Sequence, residues 1–217
     1  MERYEIMAGQ GWFFSFEGID GVGKTTLIKK LMDFFKEKNY PAVYVREPGG
    51  TLISEKIREL LLDIKNTGIL PKTEYLLYAA ARMQLVQEII MPSLEQGHMV
   101  LADRYTDSSL AYQGYGRGIE REFLNNINDH CSMGFSPQLT FLLDMDPEEA
   151  YKRKKEEGPD RVEQMGLEFQ KKVREGYLDL AAQNPERIIV INAGGELTEV
   201  EAQVKSCIIK YIKRHSA

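Results

Sequence analysis

The sequence has 217 residues, of which 43% are hydrophobic and 28% are charged, and its net charge is -5. This length suits a single domain, 1–217, with one buried core, and the negative charge argues against a general nucleic-acid-binding surface. Cys131 and Cys207 have neither zinc-site spacing nor disulfide density, which fits a reducing compartment. No apolar run approaches the length of a membrane span and residues 1–12 lack a signal-peptide core, so the sequence predicts a cytoplasmic protein without a membrane partner.

Short apolar runs alternate with helical patterns along the chain. Strands are predicted at 11–17, 41–47, 97–103, 137–144 and 186–193, several of them almost continuously apolar. Helices are predicted at 25–38, 54–62, 73–90 with Thr73 as N-cap, 120–132, 147–157, 163–183 and 198–213. This alternation predicts a three-layer αβα fold, in which a five-stranded parallel sheet is flanked by helices joined through right-handed crossovers.

Polar side chains follow the predicted strands at their carboxyl ends, where open parallel sheets bind ligands. They are Glu17 and Asp20 after the first strand, Glu47 after the second, Asp103 and Arg104 after the third, Asp144 after the fourth and Asn192 after the fifth. Because these ends meet at one edge of the sheet, we expect one site there.

The stretch FEGIDGVGKTT, residues 16–26, has the spacing G-x-x-x-x-G-K-[ST] between a predicted strand and a predicted helix. In such a loop the glycines turn backbone N–H groups toward phosphate oxygens, Lys24 adds a mobile charge, and Thr25 offers a hydroxyl to Mg²⁺. The predicted nucleotide-binding residues are Gly18, Ile19, Asp20, Gly21, Val22, Gly23, Lys24, Thr25 and Thr26. The motif therefore predicts a P-loop NTPase fold.

A phosphate loop alone does not name a reaction. The chain lacks the N-K-x-D sequence with which GTPases read guanine and the L-S-G-G-Q signature of transporter ATPases. A small kinase and a small ATPase switch therefore both stay open.

Two further residue pairs have the chemistry of a phosphotransfer site. Tyr78 and Arg82 are four apart on a predicted helix, so they share a face and can hold one planar ligand, although a core aromatic and a surface charge give the same pattern. Asp103 follows the third strand, where an acid commonly holds Mg²⁺ or its water, and Arg104 can form a fork on a phosphate. A simple Asp–Arg ion pair is the alternative.

Five blocks occur in the order and at the spacing found in bacterial thymidylate kinases. They are FEGIDGVGKTT, REPGGT (46–51), YLLYAAAR (75–82), DRYTDSSLAYQGYGRG (103–118) and DRVE (160–163), and they run across about two thirds of the chain. The sequence resembles this family, which implies a nucleoside-monophosphate kinase that makes dTDP and ADP from dTMP and ATP with Mg²⁺, usually as a homodimer. The alternatives are a kinase for another nucleotide monophosphate and an ATPase switch.

The resemblance also implies roles for single residues. For the acceptor it implies that Tyr78 stacks on thymine, Arg82 contacts a base carbonyl, Ser109 and Gln113 meet the base, Tyr112 lies under the deoxyribose, and Glu47 and Arg58 belong to the same site. For the reacting groups it implies that Asp20 lies near the acceptor phosphate, Arg104 bridges the two phosphates and Asp103 lies near the metal.

The charged stretch 151–163, YKRKKEEGPDRVE, is on its own typical of a solvated helix face and a turn. Phosphoryl transfer, however, needs positive groups around its transition state, and a mobile lid can supply them. Residues 19–22 contain no arginine, so the sequence resembles the subtype in which a lid, at about 150–163, supplies the charge. The candidates are Arg153, Lys155 and Arg161, and Arg161 is also a candidate for stacking on adenine.

Overall fold

The fold is built on one sheet of five parallel strands. A computed structural model describes residues 11–153 and 160–216. The strands are β1 (Trp12–Glu17), β2 (Ala42–Arg46), β3 (Met99–Asp103), β4 (Leu139–Asp144) and β5 (Ile188–Asn192), in the order β2-β3-β1-β4-β5. Every neighbouring pair is parallel. The predicted five-stranded parallel sheet flanked by helices is confirmed, and each predicted range contains the strand observed there.

Helices cover both faces of the sheet. They are α1 (Lys24–Glu37), α2 (Leu52–Leu62), α3 (Pro71–Leu85), α4 (Met91–Glu95), α5 (Thr106–Ser109), α6 (Arg121–Ser132), α7 (Pro147–Arg153), α8 (Leu167–Gln183) and α9 (Leu197–His215). Val86–Ile90 and Leu110–Gly116 are π-helical, and Glu163–Met165 is a short 3₁₀-helix. No helix within residues 11–153 and 160–216 is long and apolar enough to cross a membrane.

The predicted start of the third helix at Thr73 is wrong. Leu70 is the N-cap and Pro71 is the first helical residue, a position that suits proline because its missing N–H would have no partner there. The predicted helix 73–90 also does not stay α-helical to its end. Pro92 cannot donate to the carbonyl four residues before it, and the chain widens into the π-helical turn at Val86–Ile90 just ahead of this proline.

The chain between β3 and α6 is helical, although it lies outside the predicted helix ranges. The glycines at positions 114, 116 and 118 lower its helix propensity and hide the pattern. α5 and the π-helical turn Leu110–Gly116 nevertheless form one continuous helical segment that begins shortly after β3.

The alternation of side chains along β1 divides the core into two layers. Phe14 and Phe16 face the larger cluster, which they share with Leu27 of α1 and with α8 and α9. Phe13 faces the smaller cluster on the other side, together with Val86 of the π-helical turn. Because both faces of β1 are buried, the loop that follows it is anchored on a rigid strand.

Candidate active site

The phosphate loop joins β1 to α1. At Gly21 (φ 87°) a Cβ atom would lie 2.2 Å from the carbonyl oxygen of Ala150, so a side chain cannot be accommodated. Lys24 is buried, and its Nζ donates to the carbonyl oxygens of Gly18 and Ile19 at 3.0 and 2.9 Å. Burial, followed by the charge of Arg104, lowers the pKa of Lys24 to about 8. The ammonium group is thus held inside the loop, where phosphates would bind.

Thr25 and Asp103, the two predicted metal ligands, lie against each other. Thr25 Oγ1 donates to Asp103 Oδ2 at 2.5 Å, although one residue begins α1 and the other ends β3. Across the described ranges, no cluster of three or more His, Cys, Asp or Glu side chains could hold a metal ion. A metal at this position would therefore depend on oxygen atoms from the ligand and from water.

Arg104 follows β3 in a left-handed backbone conformation, with φ of 74°. Its guanidinium Nη2 donates to Asp20 Oδ1 at 2.7 Å and to the hydroxyl of Tyr112 at 3.0 Å. Its carbon Cζ lies 4.9 Å from the centre of the Tyr112 ring. The arginine thereby connects the phosphate loop to the helical segment that follows β3.

A second cleft opens beside the phosphate loop. It brings together all the residues predicted for the acceptor. They are Glu47, Arg58, Tyr78, Arg82, Arg104, Ser109, Tyr112 and Gln113. Burial raises the pKa of the Tyr78 hydroxyl, so this ring stays neutral at ordinary pH.

Arg82 is fixed in the floor of this cleft. Its side chain is 1% exposed, Nε donates to Glu47 Oε2 at 2.8 Å, and Nη2 donates to Ser109 Oγ at 2.8 Å. Nη1 donates to Asn128 Oδ1 at 2.6 Å, a contact that the sequence did not indicate. The guanidinium is therefore oriented before any ligand arrives.

One carboxylate oxygen of Glu47 accepts no hydrogen bond from the described residues. Its Oε1 is buried and, among the described residues, has no hydrogen-bond partner. Burial, opposed by Arg82, raises the pKa of Glu47 to about 7. Because an unpaired buried oxygen is costly, this atom is a position at which a bound molecule would supply the missing hydrogen bond.

Arg161, a candidate for the lid charge and for stacking on adenine, lies in a buried network. Its Nε donates to the carbonyl of Leu61 at 2.6 Å, and its Nη2 pairs with Glu74 Oε2 at 2.8 Å. Gln113 Nε2 and Arg117 Nη2 donate to the same carboxylate at 3.1 and 2.7 Å. The buried carboxylate of Glu74 thus pairs with both Arg117 and Arg161. Because of this pairing, Arg161 lies behind the acceptor cleft and does not line it.

Sequence reasoning missed Glu74 itself. The signal for it is its spacing, since Glu74, Tyr78 and Arg82 follow one another at intervals of four along α3 and lie on one helix face.

Of the other two basic candidates, Arg153 lines the phosphate-loop cavity. Its Nη1 and Nη2 donate to the carbonyl oxygens of Ala193 and Gly194 at 2.9 and 3.0 Å, in the loop after β5. Lys155 lies outside the described residues.

The two cavities share one boundary. Asp20, Glu47, Arg58 and Arg104 line both the acceptor cleft and the phosphate-loop cavity. A group bound in one cavity can therefore reach a group bound in the other past these four side chains, of which two are basic and two acidic.

Comparison with known proteins agrees with this geometry. The family model for thymidylate kinase matches residues 16–204. A thymidylate kinase from Caldanaerobacter subterraneus subsp. tengcongensis is 48% identical over 204 residues, covering 94% of this chain and 98% of that protein. One from Geobacillus sp. is 44% identical over 207 residues, covering 94% and 99%.

A solved structure is similar as well. The crystal structure of thymidylate kinase from Ehrlichia chaffeensis superposes with a TM-score of 0.75 at 36% sequence identity, covering 92% of this chain and 99% of that one. Sequence similarity over nearly the full length and the same fold lead to one conclusion: the chain belongs to the thymidylate kinase family.

Proposed function

We propose that this enzyme transfers the γ-phosphoryl group of ATP to the phosphate of dTMP, giving dTDP and ADP for dTTP synthesis. The observation that carries the proposal is the shared boundary of the two cavities, because a donor in the phosphate loop and an acceptor in the neighbouring cleft would meet at Arg104. Such an arrangement suits direct transfer between two bound nucleotides.

Catalysis depends mainly on the alignment of the two nucleotides and on positive charge around the transferred phosphoryl group. The second pKa of a phosphate monoester is about 6, so the acceptor is largely dianionic at neutral pH and needs no general base. Lys24 and Arg104 supply positive charge where the transition state spreads negative charge over the transferred group. Asp20, which accepts from Arg104, helps to hold that guanidinium between donor and acceptor.

The oxygen chemistry of Thr25 and Asp103 fits Mg²⁺. Mg²⁺ prefers hard oxygen ligands and is commonly held by one or two protein groups together with waters and substrate phosphates. A hydroxyl and a carboxylate that already touch at 2.5 Å are such a pair. When bound there, Mg²⁺ would neutralise the phosphate charge of ATP.

Base recognition falls to the buried part of the acceptor cleft. Tyr78 offers a ring for stacking, Arg82 offers a fixed guanidinium, and the unpaired Oε1 of Glu47 offers a hydrogen-bonding position. Ser109 and Gln113 border the same space, and Tyr112 lies beside the phosphate end, where it would disfavour a 2′-hydroxyl. dTMP and dUMP differ by one methyl group, so kcat/KM for dTMP should exceed that for dUMP by roughly 10–200-fold.

The donor side receives its remaining charge from the segment after β4. Arg153 borders the phosphate-loop cavity, and we assign it the role of contacting the transferring phosphate, with Lys155 as its neighbour in the chain. Its bonds to two backbone carbonyls are readily exchanged for a charged phosphate, because charge-assisted hydrogen bonds are stronger than neutral ones.

We also propose that the enzyme is a cytoplasmic homodimer. Ile53 and Leu60 of α2 are seven residues apart and 47% and 45% exposed, and Leu76 and Met83 of α3 are seven apart and 46% and 38% exposed. Residues seven apart share a helix face, so these side chains form an apolar surface that a second copy would cover. The two cysteines are free thiols, which fits a reducing compartment.

The experiment that tests the reaction measures ADP formation from ATP with dTMP, dUMP, dCMP, AMP and GMP. We expect turnover with dTMP, weaker turnover with dUMP and little with the other three. Equal rates with all five would indicate a general nucleotide kinase, and ADP formation without any acceptor would indicate an ATPase switch.

Light scattering on the purified protein tests the dimer. The double variant Leu76→Glu with Met83→Glu is expected to halve the mass, while Leu167→Glu, at another exposed leucine, is the matched control. A wild-type protein that is already monomeric would overturn the dimer proposal.

A further inference from the structure

Glu17 is a fully buried carboxylate that lines neither cavity. It ends β1, and its Oε1 accepts a hydrogen bond from the backbone N–H of Tyr105 at 2.7 Å. Its Oε2 accepts from the hydroxyl of Ser108 at 2.6 Å and from the hydroxyl of Tyr177 at 2.8 Å. Because burying a carboxylate is unfavourable, a group held in this way calls for an explanation beyond packing.

The same two hydroxyls contact Arg104. Its Nη1 donates to Ser108 Oγ at 3.2 Å and to Tyr177 Oη at 3.1 Å. The two hydroxyl oxygens also lie 2.8 Å from each other, so one hydroxyl can donate to the other. An ionised carboxylate only accepts hydrogen bonds, so at least one hydroxyl hydrogen turns toward Glu17, and both oxygens are able to accept from Arg104. Glu17 therefore determines the direction of the hydrogen bonds on this side of the guanidinium.

The two sides of the guanidinium have different neighbours. Nη1 faces the hydroxyls of Tyr177 and of Ser108, the second of which also lines the acceptor cleft. Nη2 faces Asp20, which lines both cavities, and Tyr112, which lines the acceptor cleft. The left-handed backbone at Arg104 is fixed by bonds on both sides, since Arg104 N–H donates to Phe16 at 3.0 Å and Tyr105 N–H donates to Glu17.

We propose that Glu17, Ser108 and Tyr177 form a positioning unit that holds Arg104 in the orientation needed for phosphoryl transfer. The inference rests on the proposed function, in that Arg104 is the residue that contacts the reacting phosphates. Glu17 itself touches no substrate and acts through the two hydroxyls and through the backbone of Tyr105.

The protonation of Glu17 is coupled to the charges around it, including that of Arg104. Burial, together with the charge of Asp107 on α5, raises the pKa of Glu17 to about 7, although the charge of Arg104 opposes this rise. Lys24 of the phosphate loop and Arg187 ahead of β5 also feel the charge of Glu17. Protonation of Glu17 would direct its proton at one of the hydroxyl oxygens and disturb the bonds that Arg104 donates to them.

Three variants test the unit. Glu17→Gln keeps the size of the side chain but has a single acceptor oxygen, so it cannot accept from both Tyr105 N–H and the hydroxyls. Tyr177→Phe and Ser108→Ala each remove one acceptor from Arg104. The matched control is Tyr105→Phe, because Tyr105 is also buried and its hydroxyl donates to the carbonyl of Phe135, away from Arg104.

The measurements are steady-state kcat and KM for both nucleotides, with circular dichroism as a check of folding. We expect Glu17→Gln and Tyr177→Phe each to lower kcat about tenfold or more while KM for ATP stays within about twofold. The pH profile is the second readout: kcat of the wild type should rise through about pH 7, and Glu17→Gln should lose that rise.

A wild-type kcat in Tyr177→Phe, or an equal loss in Tyr105→Phe, would overturn the positioning role. If Glu17→Gln does not fold, Tyr177→Phe decides the question, because Tyr177 lines neither cavity whereas Ser108 lines the acceptor cleft. Failure of the wild type to use dTMP would instead refute the proposed reaction, and the two failures are therefore distinguishable.

Discussion

The hydroxyl of Thr25 lies 2.5 Å from Oδ2 of Asp103, although 78 residues separate them in the sequence. The contact joins the first turn of α1 to the last residue of β3. Parallel strands bring their carboxyl ends to one edge, so the order of strands in the sheet, with β3 beside β1, creates this contact. It links the phosphate loop to the strand that leads into Arg104.

Asp103→Asn tests whether this contact serves Mg²⁺. An amide keeps the bond to Thr25 but contributes no negative charge, so the Mg²⁺ concentration needed for half-maximal activity should rise about tenfold or more. The measurement is the initial rate against Mg²⁺ concentration at fixed ATP. An unchanged Mg²⁺ dependence would mean that Asp103 serves only to anchor Thr25.

ATP binding should be accompanied by proton uptake at Lys24. Its pKa in the free protein is lowered to about 8, and the negative charge of bound phosphates should raise it again. At pH 8.5 the free lysine is mostly neutral and gains a proton when ATP binds, whereas at pH 6.5 it is already charged and gains none.

Isothermal titration in two buffers of different ionisation enthalpy measures this uptake. Lys24→Met should abolish the difference between the two pH values and should remove most turnover. Equal uptake in the variant would show that another group, such as ATP itself, exchanges the proton.

Tyr78 should act through its ring and not through its hydroxyl. Tyr78→Phe should bind dTMP within about twofold of the wild type, whereas Tyr78→Leu should raise KM for dTMP about fivefold to tenfold, since a stacking contact contributes about 1–1.5 kcal/mol. KM for ATP is the internal control, because Tyr78 does not line the phosphate-loop cavity. A rise in both KM values would indicate general damage to the fold.

Arg153→Ala should lower kcat about tenfold to a hundredfold with little change in KM for dTMP, because the residue borders only the donor cavity. Its neighbour Lys152, which is exposed on the same helix and lines neither cavity, provides the control Lys152→Ala. If both variants behave alike, the positive charge for the transition state comes from elsewhere.

Local patterns predicted the elements of the fold well. Strands such as Leu139–Asp144 are nearly continuous apolar runs that end at an acidic residue. This pattern predicts a buried strand whatever the neighbouring elements are. The π-helical turns were not predicted because their cause is a single proline in one case and a glycine-rich stretch in the other, and neither leaves a periodic signal.

Some residues of the candidate site could be predicted from the sequence and others could not. The residues that we propose to contact the nucleotides lie in short motifs, so these roles could be proposed for Lys24, Asp103 and Arg104 from the sequence alone. Arg161 could not, because its position depends on Glu74, which lies 87 positions earlier and looks like an ordinary helix-surface carboxylate until the fold buries it.

The left-handed conformation of Arg104 has a consequence for the evolution and engineering of this enzyme. A non-glycine residue at φ of 74° costs about 1–2 kcal/mol, and Arg104→Gly would remove that strain. Glycine would thus suit the backbone at the position where we propose that catalysis requires a guanidinium. Arg104→Gly and Arg104→Ala both lose turnover and the bonds of the guanidinium, but the melting temperature should fall less for glycine, because only glycine also relieves the strain.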